Sequence, residues 1–102
     1  MKIKEIIIIG AGAAGLTSAI YASRAMLDFC VIEKSALSGG QIINTSEIDN
    51  YPGFISTTGS ELSIKLREHA EACNTSFIQD NVLEIRKENG IFSVTVSYTH
   101  LR

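Results

Sequence analysis

Three glycines near the start of the chain have the spacing of a turn that binds phosphate groups. Gly10, Gly12 and Gly15 form the pattern G-x-G-x-x-G directly after the four isoleucines at positions 6–9. In such a turn the first glycine permits a tight connection from strand to helix, the second lets the backbone approach a pyrophosphate, and the third lets the helix pack closely on the sheet. A helix that begins here would offer free N–H groups and a partial positive charge to the anion.

A carboxylate follows at the distance where dinucleotide-binding turns usually have a ribose ligand. Glu33 ends the apolar stretch FCVIE, roughly 20 residues after the glycines. It could accept hydrogen bonds from ribose hydroxyl groups, and it would repel a 2′-phosphate, which disfavours NADP at this site. FAD and NAD both remain compatible with the pattern. The alternative is a turn of small residues beside an unrelated surface glutamate.

The hydrophobic pattern around these residues predicts the elements that must position them. Residues 3–9 predict a β-strand buried on both faces, residues 13–26 an Ala-rich helix, and residues 29–33 a second buried strand. Together they form a βαβ unit with parallel strands. On the inner face of the helix we expect Ser23 to bond a backbone carbonyl one turn earlier. The apolar members of that face are Leu16, Ala19 and Ile20.

Residues 34–58 predict a long irregular segment, because glycines, asparagines, serines and threonines are frequent there. Loops of this length in compact domains are usually functional or disordered. The stretch Gly39-Gly40-Gln41 would let the backbone approach a ligand, and its amide side chain could both donate and accept hydrogen bonds. The stretch DNYPG at residues 49–53 is a second turn cluster with polar groups. Ordinary turn chemistry explains both clusters equally well.

The remaining residues predict one more helix and three short strands. Thr58 and Glu61 have the spacing of a capping box, so a helix is expected to begin after Thr58. Its buried face is predicted to carry Leu62, Leu66, Ala70 and Cys73. The strands are predicted at residues 76–78, 82–87 and 91–96. The dipeptide Asn89-Gly90 predicts a hairpin turn between the last two strands.

Composition and charge exclude some classes of partner. The 102 residues have a formal net charge of −2, which is too close to neutral for the electrostatic footprint of a protein that binds nucleic acid or anionic membranes. No stretch is long and apolar enough to span a bilayer. Cys30 and Cys73 form no C-x-x-C, so we interpret them as small buried side chains, as is usual in a reducing cytoplasm. We therefore expect a cytoplasmic protein that binds neither nucleic acid nor membranes.

Longer stretches of the sequence resemble a known family. GAGAAG, VIEK, SGGQIINTSEIDNYPGF and GSELSIKLREHAE are similar to the N-terminal FAD-binding segment of bacterial thioredoxin reductases, from about Lys4 to about Val96. These enzymes are class II pyridine nucleotide-disulfide oxidoreductases, and the GGQ and DNYPG elements are more specific than the glycines. The resemblance implies a partial Rossmann-like FAD/NAD(P)-binding domain over residues 1–96. Its α/β fold would have three layers, with a parallel sheet, flanking helices and a small antiparallel β element.

The resemblance also implies which residues would bind FAD. Gly10 and Gly15 would shape the turn that holds it. The pyrophosphate would lie on the backbone of Gly12, Ala13 and Ala14. Glu33 and Lys34 would lie at the adenosine ribose. The residues bordering the ribityl chain and the flavin would be Gly40, Gln41 and Asn50. The backbone of Val82 would contact adenine.

Members of the resembled family are redox flavoproteins that pass electrons from NADPH through FAD to a C-x-x-C pair and then to thioredoxin, and some clostridial relatives use ferredoxin instead. The resemblance implies that the full-length parent is such an oxidoreductase, acts on a thioredoxin-like protein and forms a homodimer. This chain has no C-x-x-C and no second glycine-rich motif. We therefore expect the NADPH site in a missing part of the parent, no catalytic or metal-binding residue here, and no reductase activity of the chain alone.

Three alternatives to the reductase interpretation stay open. The parent could be a relative that lacks the C-x-x-C pair, either a ferredoxin–NADP reductase or a disulfide-independent NAD(P)H oxidase. The chain could also be a stand-alone module that binds an adenine dinucleotide, or a fragment without a function. Retention of flavin separates the binding hypotheses from the last one.

The final residues SYTHLR, at positions 97–102, do not resemble the family. They are similar to translated adapter sequence, so we expect a truncated gene product whose last five or six residues are foreign. The alternative is a genuine short variant. Truncation would leave strand edges and apolar surface of the last hairpin exposed, from which we expect marginal stability and a tendency to associate.

Overall fold

The computed structural model describes residues 3–35 and 47–97. In these ranges the chain forms two helices and five strands, which are, in order, β1 (Ile6–Ile9), α1 (Ala13–Arg24), β2 (Phe29–Glu33), α2 (Gly59–Ala72), β3 (Phe77–Gln79), β4 (Val82–Glu88) and β5 (Ile91–Val96). The strands β1, β2 and β3 form one sheet with β2 in the centre, and β4 and β5 form a second sheet. Neither helix in the described ranges is long and apolar enough to cross a membrane.

The first three elements form the predicted βαβ unit. β1 and β2 pair in parallel, with Ile7 opposite Cys30. β3 joins the other side of β2, also in parallel, with Ile32 opposite Ile78. A parallel sheet, packed helices and a separate antiparallel pair confirm the expected α/β architecture. Because parallel strands end at the same edge, the carboxyl ends of β1, β2 and β3 lie together.

The prediction that β1 is buried on both faces is wrong. Ile6 and Ile9 are 39% and 48% exposed, and Ile3 lies before the strand at 84% exposure. The buried strand is β2, in which the residues from Phe29 to Ile32 are all buried. The cause is position in the sheet, since β1 lies at the edge of the three strands and β2 lies between two neighbours. An apolar run predicts a strand, but it does not predict which strand is central.

Helix α1 ends two residues earlier than predicted, because the backbone reverses at Met26. This residue has φ +57°, the left-handed conformation that commonly ends a helix. The N–H of Met26 bonds the carbonyl of Ser23 at 2.9 Å, and the N–H of Leu27 bonds that of Ala22 at 3.1 Å. This pair of bonds is a Schellman motif. Glycine is the usual residue at this position, so the sequence did not indicate the stop.

The two helices pack together, and the hydrogen bond that joins them was not predicted. The hydroxyl of Ser23 donates to the backbone carbonyl of Cys73 at 2.8 Å, at the C-terminal end of α2. The expected partner one turn earlier in α1 is therefore wrong. The predicted inner face of α1 is otherwise correct, since Leu16, Ala19 and Ile20 are buried. Ser23 meets an acceptor that only the packing of α2 provides.

Helix α2 begins and packs as predicted. The hydroxyl oxygen of Thr58 accepts a hydrogen bond from the N–H of Glu61 at 3.1 Å, which is the N-cap half of the capping box. The predicted apolar face is buried at Leu62, Leu66 and Ala70 and half-buried at Cys73. Leu62 is among the largest fully buried side chains of the described residues, with Leu16 of α1 and Val31 of β2. The core therefore lies between the two helices and the centre of the sheet.

The antiparallel pair β4–β5 is the predicted hairpin. Asn89 and Gly90 have φ of +53° and +79°, which are the two positive values that a type I′ turn requires. Ile85 lies opposite Val94, and Lys87 lies opposite Phe92. These two pairs share one face because side chains alternate along a strand. This face is largely exposed, at 54% for Ile85 and 64% for Phe92.

The exposed apolar face of the hairpin predicts self-association. We expect sedimentation velocity to show association that increases with protein concentration, because exposed apolar side chains on an open two-stranded sheet favour contact between molecules. Replacing Ile85 and Phe92 together by Thr keeps β propensity and should shift the protein toward monomer. The matched variant with Glu84→Thr and Ser93→Thr, on the opposite face of the hairpin, should associate as the parent does. If the unmutated 102-residue chain stays monomeric at all concentrations, this prediction is wrong.

Candidate dinucleotide-binding site

The glycine turn joins β1 to α1 at the carboxyl edge of the parallel sheet. Gly10 has φ +100°, which is favourable only for glycine. Its N–H donates to the carbonyl of Ile32 at 2.8 Å, which fixes the turn on the central strand. A side chain at Gly10 would meet open space, so the requirement for glycine here comes from the backbone conformation and not from crowding.

Gly15 is required for the opposite reason. A Cβ atom added there would overlap the carbonyl oxygen of Gly10 and lie 3.0 Å from its carbonyl carbon. The first turn of α1 therefore packs directly on the backbone of the glycine turn. This contact brings the N-terminus of α1 to the end of β1, as the spacing of the glycines predicted.

Gly12 is the N-cap residue of α1, and no side chain caps the helix there. The carbonyl of Gly12 accepts from the N–H of Leu16 at 2.9 Å. Helix geometry leaves the N–H groups of the first turn, including those of Ala13 and Ala14, without acceptors inside the helix. No acidic residue lies in that turn. The positive end of the helix dipole is thus available to an anion.

Glu33 lies beside this turn and is held by two backbone N–H groups. Its Oε1 accepts from the N–H of Ala11 at 2.8 Å, and its Oε2 accepts from the N–H of Ser35 at 3.0 Å. Ala11 is fully buried and stands between two of the glycines. The structure therefore brings the predicted phosphate turn and the predicted ribose carboxylate into direct contact. Charge-assisted bonds of this kind restrict where the carboxylate can lie.

The other predicted binding residues lie around the same edge where the structure describes them. Lys34 follows β2 and is exposed. Val82 opens β4, is half-buried and pairs with Val96. Gly40 and Gln41 lie outside the described residues. The binding roles of all of these positions stay predictions.

Asn50 is exposed in a short loop that is fastened to the core. Ile48 and Thr57 pair through two backbone hydrogen bonds of 2.6 and 2.8 Å. The rings of Tyr51 and Phe54 lie 6.1 Å apart, and both pack against the core. The DNYPG turn is therefore part of a structured loop, and Asn50 lies at its surface.

Sequence reasoning missed Asp80, a buried carboxylate between β3 and β4. It is 4% exposed. Its Oδ1 accepts from the N–H of Asn81 at 2.8 Å, from the N–H of Ser97 at 3.1 Å and from the hydroxyl of Ser97 at 2.6 Å. An aspartate followed by asparagine between two strands is typical of an ordinary turn. The only available signal was the position of Asp80, directly after a strand that ends at the same edge as Glu33.

The described residues contain no cluster of three or more His, Cys, Asp or Glu side chains that could hold a metal ion. Cys30 and Cys73 form no disulfide, and the first is buried and the second half-buried. Cys30 is in the central strand β2, and Cys73 is at the end of α2. Cys73 packs against the hydrophobic core, and Cys30 is buried in the central strand.

Comparison with known proteins decides the family. Residues 4–100 match the model of the family described as pyridine nucleotide-disulphide oxidoreductase. The chain belongs to this family. It is 46% identical over 84 residues to the thioredoxin reductase of Bacillus subtilis, an alignment that covers 82% of this chain and 26% of that enzyme. The resemblance to thioredoxin reductases is confirmed.

Solved structures give the same result. The crystal structure of Lactococcus lactis thioredoxin reductase matches with a TM-score of 0.87 at 33% identity, over 92% of this chain and 31% of that one. A ferredoxin-flavin thioredoxin reductase from Clostridium acetobutylicum matches with a TM-score of 0.86 at 27% identity, over 94% of this chain and 33% of that one. The chain thus spans about a quarter to a third of the length of these relatives.

The contact between Gly15 and Gly10 predicts the effect of a small substitution. We expect Gly15→Ala to lower the free energy of unfolding by about 1–2 kcal/mol, because overpacking against the backbone outweighs the higher helix propensity of alanine. Urea denaturation followed by circular dichroism measures this change. Ser18→Ala, at an exposed position of the same helix, should stay within about 0.5 kcal/mol of the parent. Equal or greater stability of Gly15→Ala would rule out the close contact.

Proposed function

We propose that residues 1–96 are a partial FAD-binding domain and that the chain is the dinucleotide-binding portion of a thioredoxin reductase-like flavoprotein. The observation that carries the proposal is the hydrogen bond between the N–H of Ala11 and Oε1 of Glu33, at 2.8 Å. It places a fixed carboxylate next to the N-terminus of α1. An anion-binding helix end and a hydroxyl-binding carboxylate are the two groups that a phosphorylated ribose requires together.

The described residues fit such a ligand. The backbone of Gly12, Ala13 and Ala14 would hold the pyrophosphate, in a turn that the absence of a side chain at Gly15 keeps compact. Glu33 and Lys34 would bind the adenosine ribose.

Four more residues complete the proposed contacts. Val82 would contact adenine through its backbone, and Asn50, with Gly40 and Gln41, would border the flavin. When bound, FAD would supply the hydride and thiol chemistry, while these residues bind and orient it.

The activity of the whole protein is a further part of the proposal. We infer that the parent enzyme passes electrons from NADPH or ferredoxin through FAD to a disulfide, with a thioredoxin-like protein as its substrate. The names of the similar proteins, thioredoxin reductase and ferredoxin-flavin thioredoxin reductase, support this inference. We also infer that the parent enzyme is a cytoplasmic homodimer, and the cytoplasmic location accords with the absence of a disulfide between Cys30 and Cys73.

Binding of FAD to the 102-residue chain tests the proposed site. Titration followed by flavin fluorescence should show saturable binding of FAD that is tighter than binding of NAD measured by calorimetry. Glu33→Gln should weaken FAD binding by about 10- to 100-fold, because a neutral amide replaces a charged acceptor of hydrogen bonds.

A matched control lies at the other end of the sheet. Glu5 also accepts a backbone N–H, from Asp28 at 2.8 Å, but at the amino end of the parallel strands. Glu5→Gln should therefore leave the affinity for FAD unchanged. If the folded, unmutated 102-residue chain binds neither FAD nor NAD, or if the two glutamine variants weaken binding equally, the proposed site is wrong.

The chain alone is expected to have no disulfide reductase activity. Its two cysteines, at positions 30 and 73, form no C-x-x-C, so no dithiol is available to accept electrons from a flavin. An assay with NADPH, added FAD and a disulfide dye should give the rate of free FAD alone. Reduction of the dye above that rate would contradict the assignment of the redox centre to another part of the parent.

A further inference from the structure

We propose that Asp80 is a positioning residue for the adenosine half of the dinucleotide site. It joins the end of β2, which carries Glu33, to the start of β4, which carries Val82. The inference rests on the proposed function, because it assigns to Asp80 the relative placement of two groups that would bind one adenosine. Asp80 itself would not touch the ligand.

The first connection runs through the backbone of Asp80. Its N–H donates to the carbonyl of Glu33 at 3.0 Å. The side chain of Glu33 in turn accepts from the N–H of Ala11 in the glycine turn. A displacement of Asp80 would therefore pull on the strand end from which the ribose carboxylate extends.

The second connection runs through the carboxylate of Asp80. Its Oδ1 accepts from the N–H of Asn81 and from both the N–H and the hydroxyl of Ser97. Ser97 is the first residue of the stretch that does not resemble the family, and in this chain it packs on the hairpin root all the same. The N–H of Ser97 also bonds the carbonyl of Asn81 at 3.1 Å. These contacts close the two ends of the β4–β5 hairpin on one buried oxygen. Because Val82 directly follows Asn81, they also fix where the backbone of Val82 begins.

Burial makes this arrangement costly unless the carboxylate is well satisfied. A carboxylate removed from water loses much solvation energy, which several charge-assisted hydrogen bonds offset. A simple reversal between two strands does not require such a group, since exposed Asn, Gly or Ser would suffice. Asp80 is joined to the carbonyl of Glu33 by a single hydrogen bond. A role in positioning the site therefore explains why a buried carboxylate is present here.

The hairpin has little else to orient it within the described part of the chain. β4 and β5 form their own sheet, separate from the parallel strands. From Leu83 to Glu88 every residue of β4 is exposed. A two-stranded hairpin is at best marginally stable in water by itself. The orientation of β4 relative to Glu33 thus depends on its root, where Asp80 and Ser97 lie.

The test measures ADP binding by calorimetry to the 102-residue chain and to variants at the hairpin root. Asp80→Asn should weaken ADP binding by at least about tenfold, because a neutral amide is a poorer acceptor for three donors. Ser97→Ala, which removes the 2.6 Å bond, should also weaken ADP binding. Ser97→Thr keeps the hydroxyl and should bind ADP as the unmutated chain does. Asp28→Asn, at the exposed amino end of β2, is the matched control and should bind ADP as the parent does.

A double-mutant cycle tests whether the carboxylate of Asp80 acts through its contact with Ser97. Because Asp80→Asn leaves the backbone bond to Glu33 in place and changes only the contacts of the carboxylate, the combined variant Asp80→Asn with Ser97→Ala should bind ADP only slightly less tightly than Asp80→Asn alone. Additive losses of affinity would overturn the inference. Circular dichroism of each variant without ligand establishes that the comparison is between folded chains. If Asp80→Asn does not fold, the Ser97→Ala and Ser97→Thr pair decides.

Failure of the inference differs from failure of the proposed function. If the unmutated 102-residue chain binds ADP and FAD but Asp80→Asn or Ser97→Ala binds ADP equally well, only the role of Asp80 is overturned. If the folded, unmutated chain binds neither ligand, the proposed function is wrong and the inference fails with it. Weakened binding in Ser97→Ala, unchanged binding in Ser97→Thr and non-additivity of Asp80→Asn with Ser97→Ala together would establish the positioning role.

Discussion

The close approach of α1 to the backbone of Gly10 is the contact on which the rest of the site depends. It is possible because position 15 has no side chain, and it forces the helix to begin directly at the carboxyl edge of the parallel sheet. The N–H of Ala11 then faces the end of β2. The hydrogen bond from Ala11 to Glu33 follows from this geometry, and a bulkier residue at position 15 would remove the basis for it.

The chain has a well-packed part around the central strand and an open part at the edge strand and the hairpin. The central strand β2 is buried between its two neighbours, and Leu16 and Leu62 are fully buried among the core residues. The edge strand β1 and the hairpin expose isoleucines and a phenylalanine. The binding residues lie where these parts meet, at the carboxyl edge, which is where ligands bind in open α/β sheets. The proposed site therefore depends on the buried strand β2 for its rigidity and on the contacts of Asp80 with Ser97 for the placement of the hairpin.

Sequence patterns predicted the elements well where the signal was local. The glycine turn, the N-cap at Thr58 and the Asn89-Gly90 hairpin were all correct, because each depends on the conformational preference of a few adjacent residues. The burial of β1 and the partner of Ser23 were predicted wrongly. Both depend on which distant element packs alongside, and neither hydrophobicity nor spacing within one segment contains that information.

The sequence by itself determined the βαβ unit, the candidate phosphate turn, the carboxylate at position 33 and membership of the family. It could do so because glycine spacing and hydrophobic periodicity restrict local conformation directly. Only the tertiary structure decided that Glu33 is held by Ala11, and that Asp80 and Ser97 close the hairpin beside it. The physical reason is that these hydrogen bonds join groups far apart along the chain, so they exist only after packing has brought the ends of the strands together.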